Sequence, residues 1–600
     1  MAQPPLTTPQ DTLMRFNNIC NYLSPRRKDA KNAKEKKRYL LYTKSWRSSR
    51  PLRLCEKFLV IFLLLSSPGF TLSFDDEGTP QELAAKIESA MTNEQALAQV
   101  LMFGWVGEDP SPLIMDWIRQ RNIGGIKIFG WNTSDTQRLA RTVGQLQRAS
   151  LAGPFNIPLL VATDQEGGWI RHVKGATSET PGNMAIGASG YPRDAYLSGY
   201  YIGKELALLG INMNFAPTVD LFTNRNSVLI GPRAFGSDPV RAGILGSAFA
   251  KGQLAAGVIP TAKHFPGHGD TELDSHGILP RIEVTYDTLW NRELVPYRML
   301  VSEGIPAIMS GHLAFPLTES RSTPASLSPW FLRNVLRDRI GFNGVVITDD
   351  LNMVGATSYL RSIARTAKQA LVAGNDIIMF SSTPVLNDSI WTYLLNSMRD
   401  EEDFRQIVRN SARRVLELKL TYLRGESSVP YIPDLARVAA ELPDPEGSAF
   451  FLDLAARSVT IVNPDPPGTV FPLTRETAGR VLLAGRYGDF FRYGRIAFPN
   501  ASSYRYSLTS DAAGIIPSAR NADTIILCLS DNFDLRVLRS LQNLNKRVIV
   551  LSILSPVHIE FAPWVTGAVA VYSYAPESFA AGFSAITGRI PAYGILPYEQ

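Results

Sequence analysis

Between Thr261 and Pro280 the chain reads TAKHFPGHGDTELDSHGILP, setting Lys263, His264, His268, Asp270, Asp274 and His276 among three glycines and two prolines. Three of the six histidines in the 600-residue chain fall in this stretch. Side chains that donate, accept and exchange protons, carried on glycine-punctuated backbone, suit convergence on a small molecule. The plainer reading is a solvated turn with hydrogen-bonded histidines. Asp274 stands two residues before His276, close enough to hydrogen-bond the imidazole, fix its tautomer and stabilise its cation. His264-x₃-His268 with Asp270, Asp274 and His276 also offers the N/O donors of a zinc or manganese site. Against that, Pro266 and Gly267 break the helix that would present an i, i+4 histidine pair on one face. Neither a metal nor another cofactor is therefore expected.

The elements that must hold these residues alternate along the chain. Apolar strand-like runs cover 99–103, 125–129, 159–163, 212–215, 260–264, 307–310, 345–348 and 376–380. Between them lie stretches with apolar residues at helical spacing, such as 135–151, 194–209 and 286–303. Eight strands alternating with helices over residues 80–425 predict a (β/α)₈ TIM-like barrel, with a doubly wound open sheet as the competing topology. Runs three to eight end in Asp164-Gln165-Glu166, Ala216-Pro217, Lys263-His264, Gly311-His312, Asp349-Asp350 and Ser381-Ser382. In a barrel those ends converge on one face, so Asp164 and Asp349 would share a pocket despite their separation in sequence.

Residues 383–425 are predicted helical, and a proline-rich linker spans 426–450. Buried strand patterns at 458–462, 481–484, 524–529, 548–551 and 568–573 then predict a smaller α/β layer (sandwich) domain over 451–600. Few titratable groups cluster there, which predicts a supporting role. Cys20 and Cys55 lie near the N-terminus, and Cys528 sits in an apolar strand pattern that predicts a packed thiol.

Residues 1–57 hold 14 of the 61 basic and 4 of the 55 acidic residues, so the rest of the chain is net acidic by 4. That balance gives no electrostatic case for nucleic-acid binding. The basic run leads into the apolar segment 58–65 and then Ser66-Ser67-Pro68-Gly69, the parts of a secretory signal. Residues 1–73 are read as a leader cleaved before Phe74, making the protein exported. The alternatives are a start downstream of Met1, Met14 being one candidate, or an uncleaved N-terminal membrane anchor. The apolar core is short for a spanning helix.

Taken together, Lys263-His264-Phe-Pro-Gly-His-Gly and Asp274-Ser-His276 resemble the signature of glycoside hydrolase family 3 β-N-acetylhexosaminidases. Asp164-Gln-Glu-Gly-Gly168, Pro181-Gly-Asn-Met184, Asn214-Phe-Ala-Pro-Thr-Val-Asp220 and Ile347-Thr-Asp-Asp350 match further blocks of that family in order. The ending from Ile586 to Pro597 is similar to the close of its second domain. The resemblance implies that Asp349 is the nucleophile, His276 the general acid/base and Asp274 its partner. It implies that Asp164, Arg233, Lys263 and His264 bind hydroxyls of the terminal sugar, and that Asp350 holds its loop through hydrogen bonds. Asp220 and His312 are given supporting roles, His268 and Asp270 loop-shaping ones. The implied substrate is a carbohydrate, a terminal β-linked N-acetylglucosamine on a cell-wall fragment or chito-oligosaccharide.

The chemistry is consistent with that implication. A retaining glycosidase needs a carboxylate to trap the oxocarbenium-like carbon and a second group to protonate the leaving oxygen. A histidine, with a reference pKa of about 6.5, can supply that proton and later take one from water. A histidine also adds no negative charge beside Asp349, which would suit an acidic substrate.

One departure stands out. After Gly168 the family pattern has an arginine three positions beyond the first variable residue, and here the run is Trp169-Ile-Arg171-His172. Arg171 and His172 are both candidates for sugar contact, with a structural His–carboxylate pair as the plainer role for His172. Rival functions are a phosphorylase of the same family, a metal-dependent hydrolase and a non-catalytic exported sugar-binding protein. The joint presence of Asp349, Asp274 and His276 argues against the last.

Overall fold

The eight predicted runs fold as eight parallel strands: β1 Leu101–Gly104, β2 Gly125–Ile128, β3 Leu160–Thr163, β4 Met213–Asn214, β5 Ile259–Phe265, β6 Ala307–Ser310, β7 Val345–Thr348 and β8 Ile378–Phe380. The computed structural model describes residues 72–463 and 470–599. The leader and export signal expected over residues 1–73 lie outside the described residues, except for Leu72 and Ser73. Neighbouring strands pair in chain order, β8 pairs with β1, and an Ile347–Ile377 bridge joins β7 to the start of β8. The sheet is thus a closed barrel, which settles the topology against an open doubly wound sheet.

Alternation along each strand fills the barrel. Leu160 and Ala162, Met213 and Phe215, Ala307 and Met309, and Val345 and Ile347 face one another inside. Val415, Leu418 and Leu423, from helix Glu402–Tyr422 and the residue after it, complete the same core. Burying each such large apolar side chain contributes about 1.5–3 kcal/mol. Lys127 of β2 lies level with Ala162 of β3 and so points into the barrel, as does Lys263 of β5, two residues beyond Thr261, which is level with Ala307.

The stretch 286–303, read from sequence as one helix, is two, Tyr286–Asn291 and Leu294–Ser302. Pro296 explains the break, because a proline cannot follow an unbroken helical turn. The proposed boundary at residue 450 falls inside helix Pro445–Ser458, which runs from the linker into the second domain.

That domain is a six-stranded sheet of β9 Thr460–Asn463, β10 Val481–Gly485, β11 Ser502–Arg505, β12 Thr524–Leu529, β13 Arg547–Ser552 and β14 Gly567–Ala570. Its order is β9-β14-β13-β12-β10-β11, parallel except for β9 against β14. Successive residues feed two cores: Ile526, Cys528, Ile549 and Leu551 on one face, Ile525, Leu527, Val548 and Val550 on the other. Burial pushes the Cys528 thiol up, keeping it protonated. Strand β11 is absent from the sequence reading because it is a mostly exposed edge of polar composition. No described helix is long and apolar enough to cross a membrane.

The second domain packs on barrel loops. Met184, Ala185, Phe222, Ile230 and Ala234 share an apolar cluster with Val557, Ala570, Tyr572 and Tyr598. Residues 595–598 continue this contact, with Ile595 N–H donating to Ala188 O and Ser237 N–H to Pro597 O, both at 3.0 Å. Gly236, at φ +147°, gives Pro597 the room to approach; a Cβ there would lie 2.2 Å from the Pro597 carbonyl oxygen.

Candidate active site

The carboxyl ends of the barrel strands carry two groups of polar side chains. The first is a charged floor. Asp164, just past β3, takes the Lys263 ammonium on Oδ1 and the Lys127 ammonium on Oδ2, the latter at 2.6 Å. Lys263 also reaches Glu166 Oε1 at 2.6 Å. Arg233 grips Glu166 with a fork, Nε to Oε2 at 2.8 Å and Nη2 to Oε1 at 2.7 Å. Its Nη2 lies 3.3 Å from His264 Nε2, and Asn183 Nδ2–H donates to the Arg233 carbonyl at 2.8 Å. The other nitrogen of His264, Nδ1, meets Asp220 Oδ2 at 2.7 Å. Asp220 Oδ1 accepts the backbone N–H groups of His264 and His268 at 3.1 and 2.7 Å.

Burial alone would raise every one of these carboxyls, but the paired cations dominate. Asp164 is held well below the carboxylate range by Lys127 and Lys263, and Glu166 is brought down to about 2 by Arg233 and Lys263. Asp220 falls to about 2 through His264 and the two backbone donors that it accepts. The three carboxylates of the floor are therefore ionised, in a network with little water access that is stiff and rich in directed hydrogen bonds.

The second group lies across the barrel mouth, since β7 is opposite β3 in an eight-stranded ring. Asp349 follows β7, its backbone N–H donating to Ser310 O at 3.0 Å. Its Oδ1 accepts the Asp350 N–H at 2.8 Å. Burial acts to raise its carboxyl, but His264, His312 and His276 hold it below the ordinary value, so it is a carboxylate. Asp350 Oδ1 accepts from Asn352 N–H at 3.0 Å and Ser381 N–H at 2.9 Å, tying this loop to the end of β8. His312 is buried beneath, between Ser326 Oγ at 2.7 Å and Asp350 O at 3.1 Å.

His276 and Asp274 sit on the long loop after β5. His276 Nδ1 meets Asp274 Oδ1 at 2.6 Å, with 45% of the imidazole side chain exposed. Desolvation lowers the imidazole pKa, but Asp274, Asp349 and Asp350 outweigh it and raise the value above that of a free histidine. The same pairing, against burial, takes Asp274 down to about 2. This loop reaches the side that carries Asp349, for Gly355 N–H donates to Ser275 O at 3.0 Å. A Cβ on Gly355 would lie 3.0 Å from that oxygen and 3.1 Å from His312 Cβ.

Of the candidates named from sequence, Asp164, Arg233, Lys263 and His264 meet in the floor, and Asp274 and His276 form a dyad. Arg171 and His172 part company. They follow each other around the hairpin Gln165–Gly167/Ile170–Arg171, and consecutive extended residues point to opposite faces. His172 turns inward, with Nδ1 3.5 Å from Asp164 Oδ2 and 3.2 Å from Lys127 Nζ. Burial and the lysine bring its pKa down to about 3, so the ring is neutral. Arg171 turns away, donating to Thr177 O and Ser178 O at 3.4 and 3.3 Å and pairing with Glu179. It does not join the floor. His268 packs its ring edge-on to His264, and Asp270 pairs with Arg292, both in keeping with loop-shaping roles. With Arg233 and Asp220 at its two nitrogens, His264 does not converge with His268 as a ligand pair. No cluster of three or more metal-ligating His, Cys, Asp or Glu side chains occurs among the described residues.

Two residues of the floor went unassigned from sequence. Glu166 was visible at the end of run three. Lys127 was a lone lysine in an otherwise apolar strand, a pattern that demands a buried partner.

Comparison with known proteins places the chain in a family. Residues 92–418 match the glycosyl hydrolase family 3 N terminal domain. Beta-hexosaminidase A of Pseudoalteromonas piscicida is 32% identical over 414 residues, covering 64% of this chain and 66% of that protein. A beta-N-acetylglucosaminidase/beta-glucosidase of Cellulomonas fimi is 29% identical over 68% of this chain and 71% of its own length. The solved family 3 beta-N-acetylglucosaminidase from Paenibacillus sp. str. FPU-7 superposes with a TM-score of 0.77 at 28% identity, covering 85% of this chain and 99% of that one. With the family domain spanning more than half of its length, the chain belongs to glycosyl hydrolase family 3.

Proposed function

We propose that the protein is a retaining exo-β-N-acetylglucosaminidase acting on terminal β-linked N-acetylglucosamine, from peptidoglycan fragments or chito-oligosaccharides. The observation that carries this reading is the Asp274–His276 dyad, docked through Ser275 onto the loop that follows the carboxylate Asp349. Asp349 attacks the anomeric carbon while His276, as imidazolium, gives its proton to the glycosidic oxygen; the C–O bond breaks and a glycosyl-Asp349 ester forms. Neutral His276 then takes a proton from water, whose oxygen attacks the same carbon and frees Asp349. Asp274 orients the ring and stabilises its cation in both steps. Opposite the nucleophile, Asp164, Lys263, Arg233 and His264 hold the far hydroxyls, and the packed floor beneath them favours a chain end over an internal sugar.

Aryl β-N-acetylglucosaminide, glucoside and xyloside, assayed on the chain from Phe74 onward, test the reading. Preferred release from the N-acetylglucosaminide, abolished by Asp349→Ala with sugar binding retained, is the expected result. Wild-type turnover in Asp349→Ala would show the nucleophile to be elsewhere. Products analysed with and without phosphate separate hydrolysis from phosphorolysis, in which a sugar 1-phosphate appears.

A further inference from the structure

Lys127 has no part in the chemistry just described, yet it is wholly buried at the centre of the floor. It rises from β2 into the barrel between the rings of Phe129 and Phe215, 4.5 and 5.3 Å from its ammonium. The ammonium makes three contacts: Asp164 Oδ2 at 2.6 Å, Ile128 O at 3.0 Å and His172 Nδ1 at 3.2 Å. Three donors are thereby used, and none is left for a sugar hydroxyl. Asp164 is different. Each of its oxygens accepts one lysine, its side chain stays 14% exposed, and each oxygen keeps a further lone pair.

We propose that Lys127 is a positioning residue for sugar recognition: seated against His172, it supplies the cation that locks Asp164 in its substrate-facing orientation. This rests on the proposed glycosidase reading. The hairpin residue beside Asp164 is a histidine that accepts from Lys127 and brings no charge of its own. The strand lysine and the hairpin histidine thus work as one unit, and a cation delivered from position 172 would serve in place of one delivered from position 127. Asp164 lies across the barrel from Asp349, so loosening it weakens ground state and transition state alike and appears in KM more than in kcat.

The experiment compares wild type, Lys127→Met, Lys127→Met/His172→Arg and His172→Arg on an aryl β-N-acetylglucosaminide, with thermal melting as the check on folding. Wild-type turnover establishes the underlying reading separately from the proposal. Lys127→Met is expected to raise KM on the order of 100-fold, the scale of losing a charge-assisted hydrogen bond, with kcat changed less than about fivefold. The double variant is expected to regain most of that loss, whereas His172→Arg alone sets two cations side by side and weakens binding.

A second readout is pH. The charged groups facing His172 are Lys127, Asp164, Lys263 and Glu166. Without Lys127 the ring can protonate beside Asp164, so the KM defect of Lys127→Met should shrink as pH falls, a trend absent from wild type. A folded Lys127→Met with wild-type KM, or a folded double variant with no recovery, overturns the proposal. Loss of the fold in both variants also overturns it, by making Lys127 a purely structural residue.

Discussion

Asp274→Asn isolates the charge of the dyad from its shape. Asparagine keeps an oxygen within reach of His276 Nδ1, so the tautomer and ring direction can survive while the negative charge goes. The contact is 2.6 Å, with the aspartate 29% and the histidine 45% exposed. At that exposure solvent screens much of the Coulomb attraction, so the low-dielectric figure does not apply. A charge-assisted hydrogen bond is the better scale, about 2 kcal/mol, or roughly 30-fold in rate where the proton is needed. The carboxylate raises the His276 pKa, so His276 stays protonated, and competent for the first step, to higher pH than a free histidine would. Removing the charge moves the basic limb of kcat/KM to lower pH. The assay is a pair of kcat/KM–pH profiles, one on an aryl N-acetylglucosaminide with a good leaving group and one on N,N′-diacetylchitobiose. The loss should fall mainly on the disaccharide, whose alkoxide leaves poorly unless protonated. An unmoved basic limb, or equal losses on both substrates, would refute the acid role of His276.

Gly355→Ala places a methyl against Ser275 O and His312 Cβ, so the dyad loop must shift by a few tenths of an ångström. Roughly tenfold slower turnover of the disaccharide, with little change on the aryl substrate, is expected from steady-state kinetics. Gly236→Ala meets both a positive φ and the Pro597 carbonyl, and should lower stability by at least about 2 kcal/mol, read by urea unfolding followed with separate probes of the two domains. Acid unfolding should report Asp220. Its folded pKa of about 2 lies below the 3.8 of a free aspartate, so its stabilising contribution is complete above 3.8 and is lost as pH falls through about 2. Asp220→Asn should flatten the stability–pH curve in that window.

Much of the barrel was legible in the sequence because its strands are buried on both faces and read as continuous apolar runs, five of them stopped by polar residues at the same end. The active-site loop was legible for the opposite reason, its density of polar groups. What escaped was two-dimensional. Strand β11 follows from pairing with β10, since its own residues are polar and mostly exposed. The different fates of Arg171 and His172 follow from a two-strand hairpin too short to leave a periodic pattern. Lys127 becomes meaningful only once β2 is in register with β3, which brings its ammonium to a carboxylate 37 residues further along the chain. The split at Arg292–Glu293 was within reach, because Pro296 was in plain view.

The contact between residues 595–598 and the Arg233 loop has a temporal side. A chain made from its N-terminus completes all eight barrel strands long before Pro597 emerges. Until Tyr598 and Pro597 dock, Ile230 and Ala234 lack part of their apolar cover and Gly236 faces water rather than a carbonyl. The side chain that grips Glu166 is therefore seated last, by residues more than 360 positions downstream. The proposed sugar affinity should arrive as one of the final events of biogenesis, after the barrel has closed, leaving a nascent chain folded around Asp349 with its charged floor not yet seated.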